Sequence, residues 1–178
     1  LPMSEASESR GRILVVDDNE MNRDMLSRRL QRKKYDVSTA VGGQEAIDVI
    51  AENEYDLVLL DIMMPEVDGF QVLETVRRTY DATELPIIMA TAKTESDDIV
   101  KALKMGANDY VTKPIDFQVA LARVSTQLQL KESIDRVRIL EKSLAVRNAE
   151  LDAANKYMTQ SLESAASFQL SLLQESPP

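Results

Sequence analysis

The stretch Leu57-Val58-Leu59-Leu60-Asp61-Ile62-Met63-Met64-Pro65-Glu66-Val67-Asp68-Gly69 decides how this chain folds. Its first four residues form an unbroken apolar run, the pattern of a parallel strand covered on both faces. The run ends in an acid, then in a turn carrying Pro65 and Gly69, then in an amphipathic segment. The same order recurs along the chain. Ile13 to Val16 is followed by Asp17 and Asp18, Ile87 to Ala90 by Thr91, and Asp109 to Thr112 by Lys113. The spacing predicts strands over 12–17, 35–40, 55–61, 86–91 and 109–112. Helices are predicted over 19–33, 43–53, 68–80 and 95–105, with a last one from about 115 onward. Such alternation implies a parallel sheet with right-handed crossovers. Gly42, Gly43, Pro65, Gly69, Gly106 and Pro114 fall between elements, where turns belong.

In an open sheet of this kind, reactive groups collect outside the carboxyl ends of the strands, where strand order reverses. Asp17, Asp18 and Asp61 would meet there with Thr91 and Lys113. Three carboxylates make a hard-oxygen site suited to Mg²⁺, with the backbone carbonyl of Met63 as a further ligand. Asp61 is the natural nucleophile, because a carboxylate attacks phosphorus once the charge around it is neutralised. Lys113 and the Thr91 hydroxyl would each hold a phosphoryl oxygen. Singly, each residue has an ordinary explanation: an aspartate before Asn19 caps a helix, Asp61 starts a turn, and Thr91 or Tyr110 forms strand. Their joint placement at successive strand ends argues for a site.

Charge and composition exclude other classes. Residues 1–116 hold 14 Lys and Arg against 23 Asp and Glu, whereas 117–178 hold 7 of each. An acidic globular half lacks the basic footprint of a nucleic-acid binder. Cysteine and histidine are both absent, so thiol chemistry, disulfides and histidine-ligated metals are ruled out. No apolar run approaches a membrane span. A cytoplasmic location is expected.

The last third reads differently. No Pro or Gly occurs between Pro114 and Pro177. Leu130, Val137, Leu144, Leu151, Met158, Ala165 and Leu172 recur every seven residues, with Leu140, Ala154 and Phe168 three places on. This is the pattern of a coiled coil, weakened by Ser133, Arg147 and Ser161 at the companion position, and it predicts a homodimer of modest stability. Phe117, Leu121, Val124 and Leu128 are out of register with it and are expected to pack on the sheet. One helix over 115–174 would run roughly 90 Å and is expected to project outward. The reading divides the chain into a disordered stretch at 1–10, a domain at 11–128, a coiled-coil helix at 129–175 and the start of a further domain at 176–178.

The set Asp17-Asp18, Asp61 to Gly69, Ala90-Thr91-Ala92 and Asp109 to Pro114 resembles the receiver domain of two-component response regulators. The resemblance implies a flavodoxin-like (βα)₅ fold, an α/β doubly wound parallel sheet of order 2-1-3-4-5. It implies that Asp61 accepts phosphate from a sensor histidine kinase or a phosphotransfer protein, that Mg²⁺ is required and that the acyl phosphate hydrolyses slowly. It implies a cis bond at Lys113-Pro114. It also implies a switch in which Thr91 moves to the phosphoryl group and Tyr110 turns into the vacated space, altering a surface to which Asp97, Asp98, Lys101, Asp109 and Arg123 would contribute. Met63 and Lys93 flank the site and would tune dephosphorylation. Ala166 to Pro178 resembles the lead-in to PP2C-type Ser/Thr phosphatase domains, although Gln174 stands where proline is expected. A diguanylate cyclase output is the alternative, and an unphosphorylated dimerisation scaffold is a second.

Overall fold

The computed structural model describes residues 9–92 and 96–174, without the side chains of Ser96 and of 172–174. The chain divides into two compact units, Leu1–Ile134 and Asp135–Pro178. In the first, β1 (Arg12–Val16), β2 (Asp36–Ala40), β3 (Leu57–Asp61), β4 (Ile87–Ala92) and β5 (Asp109–Lys113) alternate with α1 (Glu20–Arg32), α2 (Gly43–Glu52), α3 (Gly69–Arg77) and α4 (Ser96–Lys104). α5 (Phe117–Gln174) begins in the first unit and supplies the second. All four strand pairings are parallel and the order is β2-β1-β3-β4-β5, as expected of the flavodoxin-like fold.

Strand alternation sorts the core onto two faces. Val16, Val58, Leu60 and Met89 point to the side covered by α2, α3 and α4, where Ile50, Leu73 and Val76 meet them. Val15, Leu57, Leu59 and Ile88 point to the other side, against Leu26 and Leu30 of α1 and Phe117 and Val124 of α5. β3 lies mid-sheet and every residue in it is buried, which accounts for its continuous apolar run. Phe117 and Val124 are buried on the sheet and Leu121 and Leu128 pack against the same cluster, as their separate register predicted.

Helix ends follow side-chain chemistry. Asn19, not Asp17 or Asp18, caps α1, accepting the Asn22 amide at 3.2 Å. Asp68 and Gln71 form a reciprocal capping box on α3, both bonds 2.9 Å. α3 stops at Arg77, short of the predicted 80, because Arg78 and Thr79 donate to carbonyls three residues back and tighten the last turn. The Arg77 guanidinium then ties up the segment that follows. It donates to the carbonyls of Gly106 (2.9 Å), Tyr80 (3.3 Å) and Leu85 (3.0 Å) and to Asn108 Oδ1 (3.1 Å). Asn108 in turn accepts the Ile87 amide and donates to the Ala82 carbonyl. This half-buried knot anchors β4 and β5 at the sheet end opposite the strand carboxyl ends.

In the second unit α5 is helical throughout 135–174. Val137, Leu140, Leu144, Leu151, Met158 and Phe168 lie exposed along it, each between half and two-thirds accessible. Among the described residues no helix is long and apolar enough to cross a membrane.

Candidate functional site

Sheet register brings the strand ends together. Val16 lies opposite Leu60, so Asp17 follows one strand as Asp61 ends its neighbour, and Ala92 lies opposite Lys113. Asp17, Asp61 and Thr91 are each only 2% exposed, while Asp18 is open to solvent. One carboxylate oxygen from each of Asp17, Asp18 and Asp61 can be chosen so that all three lie within 4.8 Å of one another. Lys113 Nζ sits 2.6 Å from Asp61 Oδ2 and 3.0 Å from Asp17 Oδ2. The Lys113-Pro114 bond that follows is cis.

The loop after Asp61 folds back tightly. Met63 N–H donates to Asp61 Oδ1 at 3.2 Å and Gly69 N–H to the Ile62 carbonyl at 2.9 Å. Gly69 is required by space, since a Cβ there would strike the carbonyl of Asp61 and lie 2.8 Å from Ile62 Cα. The Met63 side chain stands exposed beside the site.

Burial pushes the Asp61 carboxyl above its ordinary value of 3.8, the nearby Lys113 ammonium pulls it down, and the Asp17 charge pushes it up again; the balance is upward. For Lys113, burial lowers the ammonium, but its contacts with Asp61 and Asp17 outweigh that and raise it. The ammonium therefore stays charged across the neutral range and stands between two carboxylates that would otherwise repel.

These residues fit a divalent cation. The donors are hard oxygens, and among the described residues Asp61 Oδ2 is buried with no hydrogen-bond partner besides the Lys113 ammonium that pairs with it. Among the described residues Thr91 Oγ1 makes only a long contact, 3.4 Å to the Ala92 carbonyl, which leaves room for a stronger acceptor.

Two supports escaped the sequence reading. Arg23 Nη1 donates to the carbonyls of Asp17 (2.7 Å) and Asp18 (3.0 Å), fixing the acidic loop from α1. Asn22 Nδ2 donates to Asp17 Oδ2 at 3.2 Å, and the Asn19 amide to Asp17 Oδ1 at 2.8 Å. Their spacing, five and six residues past Asp17, carries no signal distinguishing them from any polar residue on a surface helix.

Of the surface residues anticipated, Asp109 and Arg123 pair closely, and Arg123 lies over the half-buried Tyr110 ring. Lys101 instead stands 3.9 Å above the Phe70 ring. Asp97 is exposed and Asp98 half-buried on α4, and Lys93 lies outside the described residues.

Residues 13–125 match the family model for the response regulator receiver domain. A putative response regulator from Chloroflexus aurantiacus J-10-fl is 32% identical, with 67% of this chain aligned to 98% of that one at a TM-score of 0.62. The Francisella response regulator 1452 receiver domain is 28% identical over 67% of this chain and 97% of its own, at 0.61. A probable two-component system response regulator/GGDEF domain protein is 30% identical over 68% of this chain and 50% of its own, at 0.66. Receiver domains take phosphate from histidine kinases or phosphotransfer proteins and bind Mg²⁺ through an acidic pocket. With the acidic pocket, the strand order and the matched residues in agreement, this chain belongs to the response regulator receiver domain family.

Proposed function

We propose that Asp61 of this chain is the phosphoacceptor of a Mg²⁺-dependent switch, charged by a histidine kinase or phosphotransfer protein, and that the switch acts through α5. The observation that carries this reading is the contact of Lys113 with buried Asp61 Oδ2, beside a second buried and a third exposed carboxylate. Asp61 attacks phosphorus, forming an acyl phosphate as the bond to the donor's leaving group breaks. Asp17, Asp18, Asp61 and the Met63 carbonyl would hold Mg²⁺, which supplies charge neutralisation to the transferring group. Lys113 gives up its place between the carboxylates and holds a phosphoryl oxygen. Thr91 offers its hydroxyl to another. Positioning and electrostatics carry nearly all of such a reaction, so this short set is sufficient. Movement of Thr91 and Tyr110 then shifts a two-state surface of α4, β5 and α5.

The exposed apolar repeat of α5 supports a homodimer through that helix. The run from Ala166 supports a PP2C-type phosphatase as the controlled output. A diguanylate cyclase is the alternative output, supported by the half-length match to a response regulator/GGDEF domain protein.

Incubation with Mg²⁺ and a small acyl-phosphate donor, read by intact mass, tests the central claim. One phosphate is expected, lost in Asp61→Asn, lost on chelation of Mg²⁺, and much slower to appear in Lys113→Met. No gain in the unaltered chain would leave the structural scaffold as the better reading.

A further inference from the structure

The free edge of the sheet carries an arrangement that the phosphorylation chemistry does not use. β5 is an edge strand, and its side chains alternate between faces: Val111 enters the cluster beneath α1 and α5, whereas Tyr110 packs against the cluster beneath α2, α3 and α4. Arg123 belongs to α5, on the Val111 side. It nevertheless reaches residues of both faces. Its Nη1 lies 2.7 and 2.8 Å from the two carboxylate oxygens of Asp109, and its guanidinium carbon stands 5.4 Å from the centre of the Tyr110 ring. Asp109 Oδ1 also accepts the Tyr110 amide at 2.8 Å, so carboxylate, ring and guanidinium form a closed set. The pair is partly sheltered: the Asp109 side chain is 18% exposed and that of Arg123 38%, and among the described residues Arg123 Nε is buried with no hydrogen-bond partner.

Only an edge strand permits this wrap, because an inner strand has a neighbour where the guanidinium passes. A ring beneath a cation and a strand amide held by the same carboxylate resist rotation more than a ring packed by apolar contact alone.

We infer that Arg123 is a positioning residue that holds Tyr110 in the orientation seen here, and so opposes the ring movement that accompanies phosphorylation of Asp61. This rests on the proposed function of Thr91 and Tyr110 given above. When the ring turns toward Thr91, the guanidinium loses its aromatic face and keeps Asp109 alone. The phosphorylation-ready state is therefore disfavoured by the strength of that contact, which for a partly exposed cation–π pair corresponds to about two- to five-fold in an equilibrium. Arg123 touches neither Asp61 nor Lys113 in this set; its influence passes through Tyr110.

The test is the initial rate of phosphate uptake, by intact mass with Mg²⁺ and acetyl phosphate, for the unaltered chain, Arg123→Gln, Arg123→Lys, Tyr110→Ala and the double variant Arg123→Gln/Tyr110→Ala. Arg123→Gln is expected to take up phosphate about two to five times faster. Arg123→Lys, which keeps the charge but loses the flat fork, should fall between. In the Tyr110→Ala background the Arg123 substitution should change nothing. Equal rates for Arg123→Gln and the unaltered chain, or the same acceleration with and without the tyrosine ring, would overturn the latch while leaving Asp61 as phosphoacceptor. Failure of the unaltered chain to gain phosphate at all would overturn both. Urea melts of each variant establish that a changed rate is not a folding defect, and Arg123→Lys supplies the comparison if Arg123→Gln does not fold.

Discussion

Substituting Gly69 by alanine isolates the space that the site needs. Gly69 is the first residue of α3, and at an ordinary early helical position alanine would stabilise over glycine by about 0.5–1 kcal/mol. Here the sign reverses. The added Cβ would meet the Asp61 carbonyl oxygen, with Ile62 Cα at 2.8 Å and the Asp61 carbonyl carbon at 3.0 Å. All three are backbone atoms of the strand end that carries the phosphoacceptor, so no side chain can swing away. Overpacking of this kind costs about 1–3 kcal/mol, and subtracting the helical gain leaves a net loss of about 0.5–2 kcal/mol. For a domain of this size that lowers the melting temperature by roughly 2–10 °C. Scanning calorimetry measures the loss, and phosphate uptake should slow as well, because relief of the clash displaces Asp61 or the Met63 loop. Gly42→Ala is the matched comparison, since nothing lies within 4 Å of a Cβ there. A Gly69→Ala chain as stable as the original, or no less stable than Gly42→Ala, would refute the packing argument.

Three further outcomes are expected. The raised carboxyl of Asp61 means that ionising it costs the folded state stability, a cost absent below the ordinary value of 3.8 and growing as pH rises through the elevated one. Without Mg²⁺, Asp61→Asn should therefore melt higher than the unaltered chain at neutral pH, while Lys113 keeps its contact with Asp17; the gap should close on acidification, and a constant gap would contradict the assignment. Arg77→Met strips donors from several backbone carbonyls and from Asn108, and should lower stability by about 2–4 kcal/mol in urea titration while leaving the extent of phosphate uptake unchanged. Leu144→Glu places a charge in the apolar repeat, and sedimentation equilibrium should show the proposed dimer weakened by at least ten-fold, whereas the same change at exposed Ala149, off the repeat, should have little effect.

The fold was legible because its signals are local. An apolar run such as Leu57 to Leu60 states that both faces are covered, and the acids after it state which end is chemical. Strand limits moved by only a residue or two: β2 begins at Asp36 because the Tyr35 amide donates to the Leu30 carbonyl of α1, and β4 extends through Ala92 because it pairs with Lys113. Asp17, Asp18, Asp61 and Lys113 could be grouped from sequence alone because parallel strands in one sheet end on one edge. Arg23, Asn22, Arg77 and Asn108 could not, because a polar residue reveals nothing of its partner until the partner's place is fixed.

Strand type, the acids at the strand ends and the seven-residue repeat were thus set by the order of residues, since each depends on neighbours within a turn or a strand. Tertiary structure decided what depends on distance across the chain. Lys113 stands between Asp17 and Asp61 because the parallel strands that carry them end on one edge of the sheet, and those contacts, with burial, raise both the Asp61 carboxyl and the Lys113 ammonium. Two glycines that look alike in sequence, Gly42 and Gly69, differ because only one has the backbone of β3 at its back. Arg123 meets Tyr110 because β5 is an edge, a property no single strand possesses until the sheet has formed.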